Sequence, residues 1–323
     1  MAPSFSFHTT SDEVAAAFAD EIKGKNVLII GTSVGGIGFE TARAIAVKSP
    51  NLVIITGHNP ERLKIAEETL RKEAPSANVR PLRLDLSSLE HVRKAAAELN
   101  AMPEPLHVVI HNAVAIPGPF KLTEDNLEAQ AVTNHIAPFL LTKLLAPKIL
   151  AARTAEYTPR VIFVSASGHA FCKGVNLRQL EKPEPASHES LDALFQSKCM
   201  NILSAIELSK RSKGRINSYS LHPGVIDTNL MRKGDVPAGL KKLELTDAEG
   251  RPNEKLHPWK TIPEGAATTI AAAFDPSLND KPGAYLDDCV IANDKIAPHA
   301  SDPATAEQLW AVTERIIGES FTF

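Results

Sequence analysis

The chain has 323 residues, of which 43% are hydrophobic and 23% are charged, and its formal net charge is -3. These values are typical of a globular protein with a buried core, and the slight negative charge argues against a nucleic-acid or anionic-membrane partner. No apolar run approaches the roughly 20 residues that a membrane-spanning helix needs. The first residues do not combine a basic segment with an apolar run, so we predict no secretory signal and a cytoplasmic location.

The three cysteines are Cys172, Cys199 and Cys289, an odd number without the spacing of a metal-binding motif. Disulfides are rare in reducing compartments, and paired cysteine motifs would be needed to indicate a metal. We therefore expect reduced thiols and no metal site.

Five short runs rich in valine and isoleucine are predicted strands. Most are apolar at successive positions, as expected of central strands in a parallel sheet that is covered on both faces. The runs are residues 26–31, 51–56, 79–84, 106–111 and 160–165.

Helical patterns separate these runs. Such alternation predicts an α/β fold in which helices flank one doubly wound parallel sheet of about seven strands, in a single domain over residues 1–323. A long helix is expected after Asp125, with a kink at Pro138 because proline lacks an amide hydrogen.

Two segments rich in proline and charge, residues 181–190 and 233–260, interrupt the alternation. Long surface segments of this kind often cover binding sites. We predict that residues 233–260 form a substrate loop or lid within the domain, with Leu256 and Trp259 as apolar contacts to a substrate.

A glycine-rich turn follows the first predicted strand and begins a helix, as a dinucleotide-binding loop does. Gly31 would permit the tight turn, Gly36 would let the backbone approach a pyrophosphate, and Gly38 would allow close packing of helix on strand. Amides at the helix start would face the phosphates. An ordinary strand–helix connection also favours glycine. The glycine-rich turn of this chain follows the first strand of an alternating array, which favours a binding loop.

The chain resembles the short-chain dehydrogenases/reductases, nearest the subgroup with retinol-dehydrogenase-like enzymes and many fungal members. The similarity covers nearly the whole chain through ordered blocks, namely GTSVGGIG, RLDLSS, HNAV, TNHIAPFLLT, RVIFVSASGH, LFQSK, LHPGVIDTNL and PEGAATTIAAAF. It implies a Rossmann fold that binds a nicotinamide cofactor and a small-molecule substrate, and an enzyme of specialised metabolism. Function must still be argued from the site.

The resemblance assigns the cofactor contacts residue by residue. Asp85 is expected to hydrogen-bond the adenine, although it could also cap the following helix. Asn134 is expected to anchor a water and Lys198, and Lys198 to hold the nicotinamide ribose. The other expected contacts are Gly31, Gly36, Ile37 and Gly38 in the glycine loop, Leu86 beside Asp85, Asn112 and Ala113 after the fourth strand, and Pro223, Gly224, Val225 and Thr228 around the nicotinamide.

The end of the second strand favours NADP(H) over NAD(H). An acidic residue there would bind the ribose 2′-hydroxyl and repel a 2′-phosphate, but Gly57 occupies the position. His58 follows, where members that use NADP(H) often carry arginine, and histidine is only partly charged at neutral pH. The residues expected to assist it are Thr32, Ser33 and Arg62.

The two hydroxyl groups of the family's proton relay are replaced. Counting one helical turn back from Lys198 places Leu194 at the tyrosine position, and Ala166 lies at the serine position. His111 and Val114 also depart from the family motif. Candidate substitutes are Ser167, if the chain leaves strand geometry at once, and the histidines His169 and His111 as general acids. Each histidine could equally be structural.

Three hypotheses follow. The first is hydride transfer to an acceptor that is already electrophilic, such as an iminium ion, in which Asn134 and Lys198 support the cofactor. The second is a non-redox cyclisation or isomerisation in the same pocket, and the third is a cofactor-sensing module without catalysis. A homodimer through residues 201–208 is also open, although those residues could be plain core.

Overall fold

Eight strands form one sheet in the computed structural model, which describes residues 4–323. The five predicted strands are present, and three more follow them. The strands are β1 (Asn26–Ile30), β2 (Leu52–Gly57), β3 (Val79–Arg83), β4 (Val108–His111), β5 (Arg160–Val164), β6 (Asn217–His222), β7 (Tyr285–Asp287) and β8 (Val290–Ile291).

The order across the sheet is β3-β2-β1-β4-β5-β6-β7-β8. Pairs are parallel up to β7, and the two-residue β8 then returns antiparallel beside β7. Both β2 and β4 pair with β1, with Val27 opposite Val53 on one side and Val108 on the other. The strand order reverses at this point, and the crevice beyond the carboxyl ends of such strands is where doubly wound sheets bind ligands.

Twelve helices connect and cover the strands in the described part of the chain. They are α1 (Ser11–Ala17), α2 (Ala19–Ile22), α3 (Ile37–Ala46), α4 (Pro60–Glu73), α5 (Leu89–Ala101), α6 (Ala129–Ala131), α7 (Ala137–Leu150), α8 (Leu177–Glu181), α9 (Ser190–Ser212), α10 (Val236–Lys242), α11 (Ile262–Phe274) and α12 (Pro303–Ile317).

The helices form a hydrophobic core on each face of the sheet. Helices α1, α3, α4 and α11 pack on one face, where Ile45 and Ile270 are fully buried. Helices α5, α7, α9 and α12 pack on the other, with Leu140, Ile202 and Trp310 in their core. Burial on both faces explains why every residue of β1 is inaccessible.

The long helix predicted after Asp125 is interrupted before its proline. A π-helical segment, Val132–Ile136, joins α6 to α7. Pro138 lies in the first turn of α7, directly after the π-helical segment, and the expected kink at Pro138 stays a prediction. π-Helical turns inside helices are frequent at functional sites, and this one contains Asn134.

Residues 201–208 belong to the core of the chain itself. Within this segment of α9, Ile202, Leu203 and Leu208 are buried, and α12 packs against the helix. A homodimer through this segment therefore stays a prediction. Among residues 4–323, no helix combines the length and apolar character that crossing a membrane requires.

Candidate active site

The glycine loop is held tightly against β4. Gly31 has φ +89°, and a Cβ there would lie 2.8 Å from the Cα of Ala113. A Cβ on Gly38 would lie 2.3 Å from the carbonyl oxygen of Gly31 and 2.4 Å from Nδ2 of Asn112. Asn112 donates from Nδ2 to that same Gly31 carbonyl at 2.8 Å. Four of the predicted residues therefore lie together, namely Gly31, Gly38, Asn112 and Ala113. The two glycines are required because any larger side chain would clash with these neighbours.

The loop leads directly into α3. Gly36 precedes the helix in extended conformation, and Ile37 is its first residue. The amides of a first helical turn have no intrahelical acceptor, so they are available to a phosphate. Ser33 is exposed at the loop, whereas Thr32 is buried and donates from Oγ1 to the Thr56 carbonyl. The Thr32 hydroxyl thus stabilises the loop.

A small hollow lies between the glycine loop and the end of β2. His58 and Arg62 are exposed at this hollow, and among the described residues that line it none is acidic. Asn59 holds the start of α4 by accepting the Arg62 amide at 2.9 Å. The two basic side chains and the hydroxyl groups of the hollow are of the chemical kinds that bind phosphate. Its lining is Thr32, Ser33, Thr56, Gly57, His58, Asn59, Arg62 and Leu63.

Asp85 lies after β3 and is not a helix cap. Ser88 caps α5, while Asp85 accepts the amide and hydroxyl of Ser87 at 2.9 and 2.7 Å. Burial opposes the ionisation of Asp85, but these bonds and the nearby His58 and His91 outweigh it and lower the pKa of its carboxyl. Asp85 therefore offers a charged acceptor near the hollow. Leu86 beside it is buried.

The π-helical turn directs Asn134 toward two other segments. Asn134 accepts the amide of Ala115 through Oδ1 at 2.7 Å and donates through Nδ2 to Ser197 Oγ at 3.0 Å. Asn134 therefore links the loop after β4 to α9, where its partner Ser197 is the residue before Lys198. The bonds of its side chain go to Ala115 and Ser197, so it positions Lys198 through that neighbour.

Lys198 is buried beneath the carboxyl end of β5. Its Nζ donates to the Val164 carbonyl at 3.0 Å, and Ser165 Oγ donates to the carbonyl of Lys198 at 2.7 Å. Burial lowers the pKa of Lys198 to about 8. The amine is still mostly charged at neutral pH, and its position is fixed by β5.

The two replaced relay positions lie on the segments that flank Lys198. Ala166 follows β5 and Leu194 is one helical turn before Lys198 on α9, and both are half-buried. Neither side chain can donate or accept a proton. The site therefore keeps its lysine while the two expected hydroxyl positions are apolar.

Ser167 is exposed at the start of a short 3₁₀ turn, because β5 ends at Val164. Ala166 still has extended backbone angles, so the chain leaves strand geometry only at Ser167 itself. Its amide donates to Nδ1 of His222 at 3.1 Å. Its hydroxyl position near Ala166 is compatible with substrate contact, which stays a prediction.

His169 has a structural role in this arrangement. Its Nε2 accepts the amide of Ala297 at 3.2 Å, so Nδ1 carries the proton and donates to the Ala166 carbonyl at 2.7 Å. Burial is the main cause that lowers the pKa of this imidazole. With both ring nitrogens engaged, the geometry argues against the predicted role of His169 as a general acid.

His111 is equally unsuited to proton transfer at neutral pH. It is buried, stacks on Phe163 with ring centroids 4.9 Å apart, and bonds Thr142 Oγ1 through Nε2 at 2.8 Å. Burial lowers the pKa of His111 to about 3, so the ring is neutral. The predicted acid role of His111 is therefore disfavoured by its burial.

The block after β6 forms a turn against a buried lysine. Gly224 has φ +98°, and a Cβ there would lie 2.7 Å from Cδ of Lys260. Val225 accepts the Lys260 amide at 2.8 Å, and Thr228 caps the next short turn. Pro223 is buried. These residues lie at the carboxyl edge of the sheet beside the loops described above.

Comparisons with known proteins agree with this architecture. A family model described as short chain dehydrogenase matches residues 25–175. The chloroplastic short-chain dehydrogenase TIC 32 A of Brassica napus is 32% identical over 295 residues, which cover 90% of this chain and 88% of that protein. The short-chain dehydrogenase/reductase prx1 of Penicillium roqueforti is 32% identical, over 93% of this chain and 87% of its own. The chain belongs to the short-chain dehydrogenase family.

Solved structures support the same fold. The crystal structure of an uncharacterised protein from Mycobacterium paratuberculosis has a TM-score of 0.70 at 25% identity, and the match covers 94% of this chain and 96% of that one. A short-chain dehydrogenase from Escherichia coli CFT073, crystallised with NADPH, has a TM-score of 0.61 at 21% identity over 84% and 98%. At this identity the second likeness concerns the fold alone.

Two contacts of this short-chain dehydrogenase were not anticipated from its sequence. Lys260 is buried and pairs with Asp288 at 2.5 Å, which fixes the side chain that supports Gly224. Asn229 reaches the glycine loop, since its Nδ2 lies 3.2 Å from the place of a Cβ on Gly35. A signal for Asn229 is its position inside the block LHPGVIDTNL, directly after Thr228. The ion pair between Lys260 and Asp288 joins distant parts of the chain and leaves no such signal.

The segment 233–260 contacts the loop after β4 and the start of α9. Asp235 donates its amide to the Pro117 carbonyl at 3.1 Å and accepts the Ser190 hydroxyl at 2.7 Å. In α10, Gly239 packs against Leu191, and a Cβ on Gly239 would lie 2.6 Å from Cδ1 of Leu191. The segment thus lies against the helix that carries Lys198 and against the loop whose Ala115 amide binds Asn134.

Proposed function

We propose that this short-chain dehydrogenase binds NADP(H) and transfers hydride to an acceptor that is already electrophilic, such as an iminium ion. The observation that carries the proposal is the contrast around Lys198. The buried lysine and Asn134 are held in place, whereas the two relay positions carry Ala166 and Leu194.

The preference for NADP(H) rests on the hollow at the end of β2. His58 and Arg62 can pair with a 2′-phosphate, and Gly57 leaves the backbone free of an opposing carboxylate. The glycine loop is suited to a pyrophosphate, because Gly36 and Gly38 present no side chains where α3 begins. Asn229 adds a side-chain amide above that loop.

The bound cofactor supplies a hydride from its nicotinamide ring. Lys198 would hold the ribose hydroxyls through its charged amine, and Asn134 would fix α9 through Ser197. Gly224 and Val225 would contact the nicotinamide ring. An iminium acceptor needs no proton delivered to oxygen, so Ala166 and Leu194 can serve as an apolar wall that excludes water.

Magnitudes disfavour ordinary carbonyl chemistry. A positioned general acid contributes roughly 10²–10⁴ in rate, and neither relay position of this chain supplies one. A ketone substrate would lose this contribution and the polarisation of its oxygen as well. A cationic acceptor loses neither, because its own charge activates the carbon that receives the hydride.

The segment 233–260 is proposed as the cover of the substrate site. It contacts the loop after β4 through Asp235, and Leu256 is 60% exposed at its surface. Trp259 is half-buried, so both predicted apolar contacts are available on or near the surface. A cytoplasmic location, a homodimer and a role in specialised metabolism accompany this proposal as predictions.

The test follows a cyclic iminium substrate and the redox state of the cofactor in one reaction. Purified protein is mixed with NADPH carrying deuterium at the transferred position, and the product is analysed by mass spectrometry. Deuterium in the product with matching loss of NADPH supports the proposal. Turnover that continues after all cofactor is removed would replace it with a non-redox cyclase or isomerase.

A third outcome concerns the binding module. If NADPH binds but neither cyclic nor open-chain iminium ions consume it above the uncatalysed rate, the redox proposal fails. The protein would then be a cofactor-binding module, and fluorescence titration would report its affinity for NADPH and NADH.

A further inference from the structure

Two cysteines and one histidine lie close together beside α9. Cys172 follows the 3₁₀ turn after β5, Cys199 lies on α9, and His299 lies in the segment that precedes α12. Their Sγ, Sγ and imidazole nitrogen atoms all lie within 4.8 Å of one another. Both cysteines are free and buried, and His299 is half-buried.

The separations suit a shared metal ion. Tetrahedral zinc with Zn–S near 2.3 Å and Zn–N near 2.0 Å places its sulfur and nitrogen ligands about 3.6 Å apart. Cys172 Sγ and His299 Nε2 are 3.7 Å apart. Small rotations of the side chains therefore suffice to bring these atoms to bonding distance of one ion.

A main-chain oxygen approaches the same point. The carbonyl of His169 accepts from Cys172 Sγ at 3.3 Å and from His299 Nε2 at 2.9 Å. Without a metal, this carbonyl satisfies the thiol and the imidazole. With one, the same oxygen or a water can complete a fourth position, since His299 leaves the cluster open toward solvent on one side.

We propose that Cys172, Cys199 and His299 bind a thiophilic divalent metal ion, with Zn²⁺ the best match. Two thiolates and an imidazole are soft and borderline ligands, which select zinc over Mg²⁺ or Ca²⁺. Two thiolates also neutralise the charge of the ion, as a largely buried site requires. The spacing of the cysteines could not reveal this site, because its three ligands come from distant parts of the chain.

The position of the cluster suggests what the ion would do. Cys172 belongs to the segment that carries Ala166, and Cys199 is the residue after Lys198. His299 connects both to the region of α12. A bound ion would therefore join the segment that carries Ala166 and the helix that carries Lys198 to the C-terminal part of the chain. Its binding free energy would stabilise the folded state.

The experiment is a titration of the reduced, chelator-treated protein with Co²⁺, followed by Zn²⁺. We expect one Co²⁺ per chain with a thiolate-to-cobalt charge-transfer band and tetrahedral d–d bands, which Zn²⁺ then removes. At zinc about a hundredfold above its dissociation constant, the midpoint of thermal unfolding should rise by about 4 °C. Affinity for NADPH is measured in parallel, because none of the three proposed ligands is among the residues assigned to the cofactor.

Variants assign the ligands. Cys199→Ser and His299→Ala should each weaken cobalt binding at least tenfold, and Cys172→Ser should remove the charge-transfer intensity of one thiolate. Cys289→Ser is the matched control, because Cys289 is also a free buried cysteine but bonds Thr268 in another part of the core. It should bind cobalt as the unaltered protein does.

The proposal is overturned if the unaltered protein shows no charge-transfer band, or if the band survives loss of both Cys172 and Cys199. X-ray absorption at the zinc edge provides a test that needs no variant. A first shell with two sulfur atoms and two lighter atoms supports the assignment, and a shell of oxygen and nitrogen alone refutes it.

Discussion

The cofactor end and the catalytic end of this short-chain dehydrogenase meet at one edge of the sheet but differ in what they retain. At the proposed cofactor end, the close approaches at Gly31 and Gly38 restrict the shape of the backbone. At the catalytic end, Asn134 and Lys198 are in place, but the relay positions are apolar. In the proposed function, this difference would mean that the frame for a hydride donor can be kept without the side chains that move a proton.

The largest effect is expected from restoring the relay. Ala166→Ser with Leu194→Tyr should raise the rate of NADPH-dependent ketone reduction by roughly 10²–10⁴, because the new hydroxyls would polarise the oxygen and supply its proton. Steady-state consumption of NADPH with a small ketone measures the gain. Ala166→Ser with Leu194→Phe is the matched control, since it adds the ring without its hydroxyl. An equal gain in both variants would refute the role given to the hydroxyl.

The next effect concerns the glycine loop. Gly38→Ala should lower the free energy of unfolding by about 1–3 kcal/mol, because its Cβ would meet the Gly31 carbonyl and Asn112. The shifted loop should weaken NADPH binding at least tenfold. Urea unfolding and fluorescence titration measure the two quantities. Gly118→Ala is the control, because nothing lies within 4 Å of its Cβ. Similar losses in both variants would contradict the close-packing argument.

Cofactor choice should depend on Arg62. Arg62→Glu should weaken NADPH binding by roughly tenfold and leave NADH binding nearly unchanged, because it replaces a phosphate partner with a like charge. Lys64→Glu on the same helix changes the net charge equally and should affect neither. An equal effect of Arg62→Glu on the two cofactors would exclude a 2′-phosphate site in the hollow.

The smallest effect is a pH dependence from Lys198, whose pKa burial lowers to about 8. NADPH binding should be tightest below pH 8 and weaken by roughly fivefold towards pH 9.5, as the amine loses the proton it donates to ribose. Stability moves in the opposite direction. Between pH 8 and about 10.4 the unfolded chain binds the proton that the folded chain has lost, so this group adds stability as pH rises. Lys198→Met should flatten both profiles. A wild-type affinity independent of pH would contradict the ribose contact.

The pattern of apolar residues predicts much of this fold. Elements whose buried positions carry polar residues are harder to predict from the sequence. The first strands are recognisable because their residues are buried on both faces. Strand β6 is less visible, since Ser218 and Ser220 occupy its buried positions and Ser218 donates its hydroxyl to the Val161 carbonyl. The π-helical turn at Asn134 has no period of its own in the sequence.

The same limit applies to the candidate site. The glycine loop and the helical turn from Leu194 to Lys198 are local motifs, so their residues can be named from the sequence. The bonds of His169 to Ala297, of Lys260 to Asp288 and of Asn134 to Ser197 join distant segments. These contacts decide which polar groups are free for chemistry, and local pattern cannot reveal them.

The central claim is that this site transfers hydride without a serine–tyrosine relay. The most direct measurement is single-turnover stopped-flow oxidation of bound NADPH, with a cyclic iminium ion and with the ketone of the same ring size. The account predicts rapid oxidation by the iminium and a rate lower by about 10² or more with the ketone. Equal rates with both substrates, or oxidation by the ketone alone, would contradict it.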